Sequence, residues 1–99
     1  MSKNWKNVEL SLARILGGQR VPITGRSRGS APDIEHESLS IEVKHRKSLP
    51  DWIKDAMDQA EKSNISGKKL PIVILHEKHM KFDNSFVMVR LKDLKNLVE

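Results

Sequence analysis

The chain has 99 residues and no cysteine, so its length fits one domain with one core, and disulfides and thiolate metal sites are excluded. No apolar run approaches the ~20 residues of a membrane span, and the N-terminal residues lack the apolar stretch of a secretory signal. The formal net charge of +5 favours a polyanionic partner, although many mildly basic domains bind none. We therefore expect a cytoplasmic protein that binds no membrane, in the host cytoplasm if the source is a virus.

The first half of the chain predicts one helix followed by short strands. Apolar residues recur at helical spacing from Trp5 to Leu16, and Gly17-Gly18 then ends the helix. Pro22 places the first strand at a sheet edge or at a strand end. The three predicted strands cover residues 19–23, 33–36 and 39–46, with a Gly- and Arg-containing loop over 24–31 between the first two.

The second half predicts a helix, two strands and a final helix. The helix begins at Pro50 or Asp51. Its apolar stripe comprises Trp52, Ile53, Ala56, Met57 and Ala60. The continuous apolar run over 70–75 is typical of a central strand buried on both faces. A strand over 86–90 and a short helix of spaced leucines from Leu91 complete the order α-β-β-β-α-β-β-α. This order predicts an α/β fold with a mixed sheet flanked by helices.

The third predicted strand carries a carboxylate and a lysine on one face. Side chains alternate along a strand, so Glu42 and Lys44 project from the same side, while Ile41 and Val43 point to the other. A hairpin turn can bring Asp33 alongside Glu42. Two converging carboxylates suit Mg²⁺, which polarises a phosphate and activates a water molecule. The plain alternative is a solvated Glu-x-Lys pair and an aspartate that forms a turn after proline.

These residues resemble the PD-(D/E)xK nuclease superfamily, and within it the archaeal-type Holliday junction resolvases and their phage relatives. Pro32-Asp33 matches the PD pair, and Glu42-Val43-Lys44 matches the (D/E)xK element. Glu9 matches the acidic residue that this family places on its first helix. The resemblance covers about residues 5–75, in the same order of elements, although this chain is shorter than typical members.

The resemblance implies a single nuclease domain over residues 1–99 with a restriction-endonuclease-like core. It implies a DNA endonuclease that uses Mg²⁺, with Mn²⁺ as an alternative. The sequence has no phosphate-loop motif, so we expect no nucleotide cofactor. The implied catalytic residues are Glu9, Asp33, Glu42 and Lys44, of which the three carboxylates would also bind the metal. A resolvase of this family is a homodimer that cuts opposite strands of a four-way junction in DNA recombination and repair. A nuclease for duplex, flap or gapped DNA and an inactive DNA-binding module of the same fold stay open as alternatives.

Glu9 has an unusual position for a charged residue. On a helical wheel it lies between Trp5, Leu12 and Leu16, inside the apolar stripe of the first helix. A buried carboxylate is costly unless it is paired or bound to a metal. Two interpretations follow. Glu9 reaches the metal centre or its surroundings, or it lies at the rim of the stripe and pairs with a lysine or with Arg20.

Two basic segments flank the motif and predict phosphate contacts. Glycines let backbone N–H groups approach a phosphate, and arginine binds phosphate through two parallel hydrogen bonds. The segment after the motif, His45-Arg46-Lys47, extends the positive charge of Lys44. The candidate DNA-binding residues are Arg26, Ser27, Arg28, Ser30, His45, Arg46 and Lys47. The alternative is a solvated loop and an exposed strand end.

Overall fold

The computed structural model describes residues 2–21 and 32–98, which cluster into two compact units, Met1–Lys47 and Ser48–Glu99. The order of helices and strands is the predicted α-β-β-β-α-β-β-α, so the small α/β class is confirmed. The strands of the described residues pair as two antiparallel sheets, not as the single mixed sheet that we expected. All these pairs join strands that are neighbours in sequence, whereas a mixed sheet also needs a parallel pair across a helix. The single domain over 1–99 stays a prediction.

The first unit begins with helix α1 (Ser2–Leu16), which ends as predicted at two glycines. The Gly18 N–H donates to the Ala13 carbonyl at 2.8 Å, and the Gly17 N–H donates to the Arg14 carbonyl at 3.4 Å. Gly17 has a φ of 76°, in the left-handed region. This pair of bonds is the Schellman motif, which satisfies carbonyls that the helix end leaves over.

Three two-residue strands form the sheet of the first unit, in the order β1 (Gln19–Arg20), β2 (Ile34–Glu35) and β3 (Ser40–Ile41). Both pairs are antiparallel, with Ile34 opposite Arg20 on one side and opposite Ile41 on the other. All three strands are shorter than predicted. The part of the first predicted strand beyond Val21 lies outside the described residues.

The core of the first unit lies between α1 and the sheet. Its buried members are Ala13, Ile34 and Val43, with Val8, Leu12 and Ile41 packed against them. Gly18 is required by this packing, because a Cβ there would lie against the Glu35 carbonyl oxygen and 2.9 Å from the Ile34 side chain. The close approach holds the end of α1 against β2, the strand that directly follows Asp33.

The second unit contains two helices and a two-stranded ribbon. In chain order these are α2 (Asp51–Ser63), β4 (Val73–Leu75), a short 3₁₀ helix (Phe82–Asn84), β5 (Phe86–Met88) and α3 (Leu91–Val98). The helix α2 packs against β4, and its one buried residue is Met57. Before α3, the Arg90 guanidinium donates to Asp58 at 3.0 Å and to Glu61 at 3.1 Å, and so ties the chain to α2.

Two predictions for the second unit are wrong. The run over 70–75 is not buried on both faces, because Ile74 and the residue opposite it in the ribbon, Val87, are each 61% exposed. Within this unit a helix covers only one face of the ribbon. The α2 stripe is also narrower than predicted, since Trp52 in its first turn is largely exposed. No helix among the described residues combines the length and the apolar character needed to cross a bilayer.

Candidate active site

Asp33 is buried, with 4% of its surface exposed, and it bonds to both neighbouring segments of the sheet. Its N–H donates to the Ile41 carbonyl at 2.9 Å, and its own carbonyl accepts the Val21 N–H at 2.9 Å. Its carboxylate oxygen Oδ2 accepts the Val43 N–H at 2.6 Å. Asp33 therefore joins β1 to the segment that follows β3, through its side chain as well as its backbone.

The same contacts explain why the third strand is shorter than predicted. One step beyond Ile34 and Ile41, the register of the β2–β3 pair would place Asp33 opposite Glu42. There the Asp33 carboxylate takes the next N–H of the other segment, at Val43. A side-chain acceptor thus replaces a backbone one, which ends the regular ladder while keeping a buried N–H satisfied.

Glu42 and Lys44, the residues before and after the buried Val43, both project to the solvent. The side chains are 61% and 69% exposed, and the Lys44 Nζ lies 3.7 Å from Glu42 Oε2. The alternation of exposed and buried side chains that is predicted for a strand therefore persists beyond the end of β3. An exposed ion pair of this kind stabilises a fold very little. Because both side chains are mostly exposed, both charged groups are accessible to a ligand.

Glu9 is fully buried on α1, and its Oε1 accepts the Arg20 Nε–H at 2.6 Å. The Arg20 side chain is also largely buried. The predicted pairing with Arg20 is therefore present, but it lies in the interior instead of at the rim of the stripe. Burial of the carboxylate follows from its place among apolar neighbours, and the guanidinium supplies the charge that such burial requires.

The predicted DNA-binding residues fall into two groups. His45, Arg46 and Lys47 are exposed in the first unit, directly after Lys44. The four residues of the preceding loop lie outside the described residues: Arg26, Ser27, Arg28 and Ser30. His45 makes a ring contact that the sequence analysis missed, with its ring centroid 5.7 Å from that of Trp5 on α1. Two aromatic rings separated by 40 residues give no local pattern that could have indicated this contact.

Carboxylate oxygens of the motif are the ligands that a hard cation such as Mg²⁺ prefers. In the stretches 2–21 and 32–98, no group of three or more His, Cys, Asp or Glu side chains is placed to hold a metal ion. Mg²⁺ is usually held by one or two carboxylates, with water and substrate phosphate completing its shell. The chemistry of Asp33 and Glu42 fits this mode, whereas the predicted three-carboxylate set with Glu9 is not assembled among these residues.

Residues that the structure describes line two concave regions away from the motif. One, of about 300 Å³, is in the first unit beside the end of α1 and is lined in part by Glu35, His36 and Glu37. The other, of about 380 Å³, is in the second unit and is lined in part by Trp52 and Phe86. None of the predicted catalytic residues lines either of them.

Comparisons of this chain with protein-family models, with curated proteins and with solved structures return no match. The relation to PD-(D/E)xK nucleases is therefore a resemblance that rests on Pro32-Asp33, Glu42-Val43-Lys44 and Glu9. Besides this resemblance, the geometry around Asp33 bears on function.

Proposed function

We propose that the first unit carries the active centre of a Mg²⁺-dependent DNA endonuclease of the PD-(D/E)xK type. The observation that carries the proposal is the hydrogen bond from the Val43 N–H to the Asp33 carboxylate. It joins the two halves of the motif, which are 10 residues apart in the chain. Beside this bond, Glu42 and Lys44 present an accessible carboxylate and an accessible ammonium group within 3.7 Å of each other.

Each residue of the motif has a distinct part in the proposal. The carboxylates of Asp33 and Glu42 would hold Mg²⁺, which when bound supplies Lewis-acid activation of the phosphodiester and of a water molecule. A carboxylate offers about four lone-pair sites, so the bond from Val43 still leaves Asp33 able to accept another partner. Lys44 would place a positive charge at the scissile phosphate or orient the attacking water.

Glu9 has a conditional place in this proposal. Its carboxylate is held by Arg20 at 2.6 Å, and a metal would have to share it with that guanidinium. An arginine that holds a carboxylate fixes its direction, and partners of this kind tune and orient the ligands of metal sites. We therefore propose Glu9 as a third ligand in the assembled complex, with Arg20 as the residue that positions it.

The proposed substrate is a four-way DNA junction, cut by a homodimer in the cytoplasm. A junction has near two-fold symmetry, and a C₂ dimer presents two equivalent sites to it. The net charge of +5 and the exposed cations after the motif support binding to a polyanion. The fold proposed with this function is the restriction-endonuclease-like core, whose order of elements this chain has.

The proposal is tested by cleavage of a labelled four-way junction, a linear duplex of matching sequence and single strands, in Mg²⁺, Mn²⁺ or EDTA. The variants are Asp33→Asn, Glu42→Gln and Lys44→Gln, with Glu37→Gln as an exposed control away from the motif. At position 33 the substituent is Asn and not Ala, because the amide oxygen of Asn can still accept the Val43 N–H. We expect paired symmetric nicks in the junction, lost in EDTA and in the three motif variants and retained in the control.

The other outcomes separate the alternatives. Metal-dependent cutting of the linear substrates as well would keep the nuclease and remove the junction selectivity. Binding of DNA without cleavage of any substrate would favour an inactive module of the same fold. Cleavage that survives all three motif substitutions would exclude the proposed centre.

A further inference from the structure

Trp5 and His45 form an aromatic pair next to the proposed centre, and nothing in the proposed chemistry uses it. Their ring centroids are 5.7 Å apart, and the planes are tilted by 48°. A tilt of this size means that neither ring covers the face of the other, as it would in a parallel stack. Trp5 is only partly buried, and His45 is exposed, so aromatic surface of the pair is open to a ligand.

Both members of the pair have exposed cations beside them in the sequence. His45 lies in the segment Lys44-His45-Arg46-Lys47, in which all four side chains are exposed. On α1, Lys6 follows Trp5 and is exposed too. Among the residues just before this segment, Glu42 is the nearest acidic one in sequence, and its carboxylate lies 3.7 Å from the Lys44 ammonium. Aromatic rings among exposed cations are the combination by which proteins hold single-stranded nucleic acid.

We propose that Trp5 and His45 form a stacking site for an unpaired nucleobase of a DNA strand. The cations of the segment 44–47 contact the phosphates on either side of that base. A base in a duplex is stacked between its neighbours and has no free face, whereas an unpaired base offers its whole π-surface. This inference deepens the proposed function on which it rests, because a base pair at the branch of a junction has lost a stacking neighbour, which lowers the cost of opening the pair and presenting one of its bases to the site.

A purely structural role makes a different prediction. If the ring contact only fastens α1 to the segment after β3, its removal lowers the stability of the first unit and weakens binding to every DNA equally. A stacking site instead discriminates between unpaired and paired DNA. Stacking of one base contributes about 1–3 kcal/mol, which corresponds to roughly a 5- to 150-fold change in affinity.

The test measures binding in EDTA, so that no cleavage occurs, to an oligothymidine strand and to a duplex. Trp5 and Trp52 are the two tryptophans of the chain, and Trp52→Phe leaves Trp5 as the sole indole reporter and is also the control variant. We expect the strand to quench the Trp5 fluorescence. Trp5→Leu and His45→Ala should each weaken binding of the strand by roughly 5- to 150-fold, with less than about a 2-fold effect on the duplex, and Trp5→Phe should retain most of the affinity.

The inference is overturned if the strand leaves the Trp5 fluorescence unchanged, or if His45→Ala weakens strand and duplex equally. His45 is exposed, so this second variant gives an answer even if Trp5→Leu fails to fold. Failure of the stacking inference is distinct from failure of the proposed function. Cleavage that is unaffected by loss of the ring pair would leave the nuclease standing, whereas Trp5-dependent binding without cleavage would leave the stacking site and remove the nuclease.

Discussion

Asp33 joins the two halves of the motif, and its substitution therefore tests the structural part of its role apart from any chemistry. Asp33→Ala removes the acceptor of the Val43 N–H, while the backbone bonds of residue 33 can stay. Asp33→Asn removes the charge but keeps an oxygen at the same place. A comparison of the two variants separates the loss of a hydrogen bond from the loss of a negative charge.

The expected magnitude follows from the kind of bond that is lost. A hydrogen bond to a charged group contributes about 1.5–3 kcal/mol, and a buried N–H without an acceptor keeps the full cost of its desolvation. Asp33 and Val43 are both buried, so water does not readily replace the carboxylate. We expect Asp33→Ala to lower the free energy of unfolding by about 1.5–3 kcal/mol, or the melting temperature by roughly 6–24 °C. Asp33→Asn should cost about half as much or less, because a neutral bond remains.

The assay is urea and thermal unfolding followed by circular dichroism, with hydrogen exchange of the Val43 amide as a local readout. Exchange at Val43 should accelerate strongly in Asp33→Ala and only slightly in Asp33→Asn. Equal costs for the two variants, or a cost below about 0.5 kcal/mol for the alanine, would contradict the role of the carboxylate as an acceptor for this N–H.

Three further predictions concern the surroundings of the motif. Glu9→Gln should lower the free energy of unfolding by about 3–5 kcal/mol, because it leaves the Arg20 charge buried. The double variant Glu9→Leu with Arg20→Met should recover most of that loss in urea unfolding. A Glu9→Gln protein as stable as the parent would count against the buried pair. Gly18→Ala should cost about 1–3 kcal/mol in the same measurement, since its Cβ meets the backbone of β2, and an unchanged midpoint would contradict the close approach. Arg46→Gln should reduce the slope of log K against log salt for duplex binding by about 0.9, while the exposed Lys68→Gln in the second unit should leave it unchanged; equal slopes in both would exclude a phosphate contact at Arg46.

The elements that could be predicted from the sequence are those with local signals. The end of α1 follows from Gly17-Gly18, and the start of α2 follows from Pro50, because glycine and proline act through their own backbone conformations. The order of elements follows from hydrophobic periodicity. Strand pairing depends on residues that are distant in the sequence, so local patterns do not predict it. The apolar run that ends at Leu75 predicted a strand covered on both faces, whereas in the second unit only one face of the ribbon is covered. A one-sequence pattern shows which residues are apolar and does not show what will cover them.

In the candidate site too, some features follow from local sequence patterns and others do not. The shared orientation of Glu42 and Lys44 could be predicted because it depends only on the alternation of an extended chain. The burial of Glu9 was indicated by its place in an apolar stripe, and pairing with Arg20 was one of the predicted alternatives, beside a lysine and the metal centre. The bond from Val43 to the Asp33 carboxylate could not be predicted, since it depends on a departure from the regular ladder.

The two buried carboxylates among the described residues change how a loss of activity should be interpreted. Asp33 and Glu9 each hold a structural partner in the first unit, the Val43 N–H and the Arg20 guanidinium. Replacement of either by alanine would disturb the positions of Glu42 and Lys44 or the core beneath them, so an inactive alanine variant would be consistent with a catalytic or a structural role. Glu42 and Lys44 are exposed and contribute little to stability. Their isosteric variants are consequently the sharper probes of chemistry: a folded protein that binds DNA and has lost cleavage through Glu42→Gln or Lys44→Gln would assign the reaction to this motif without the ambiguity of a buried residue.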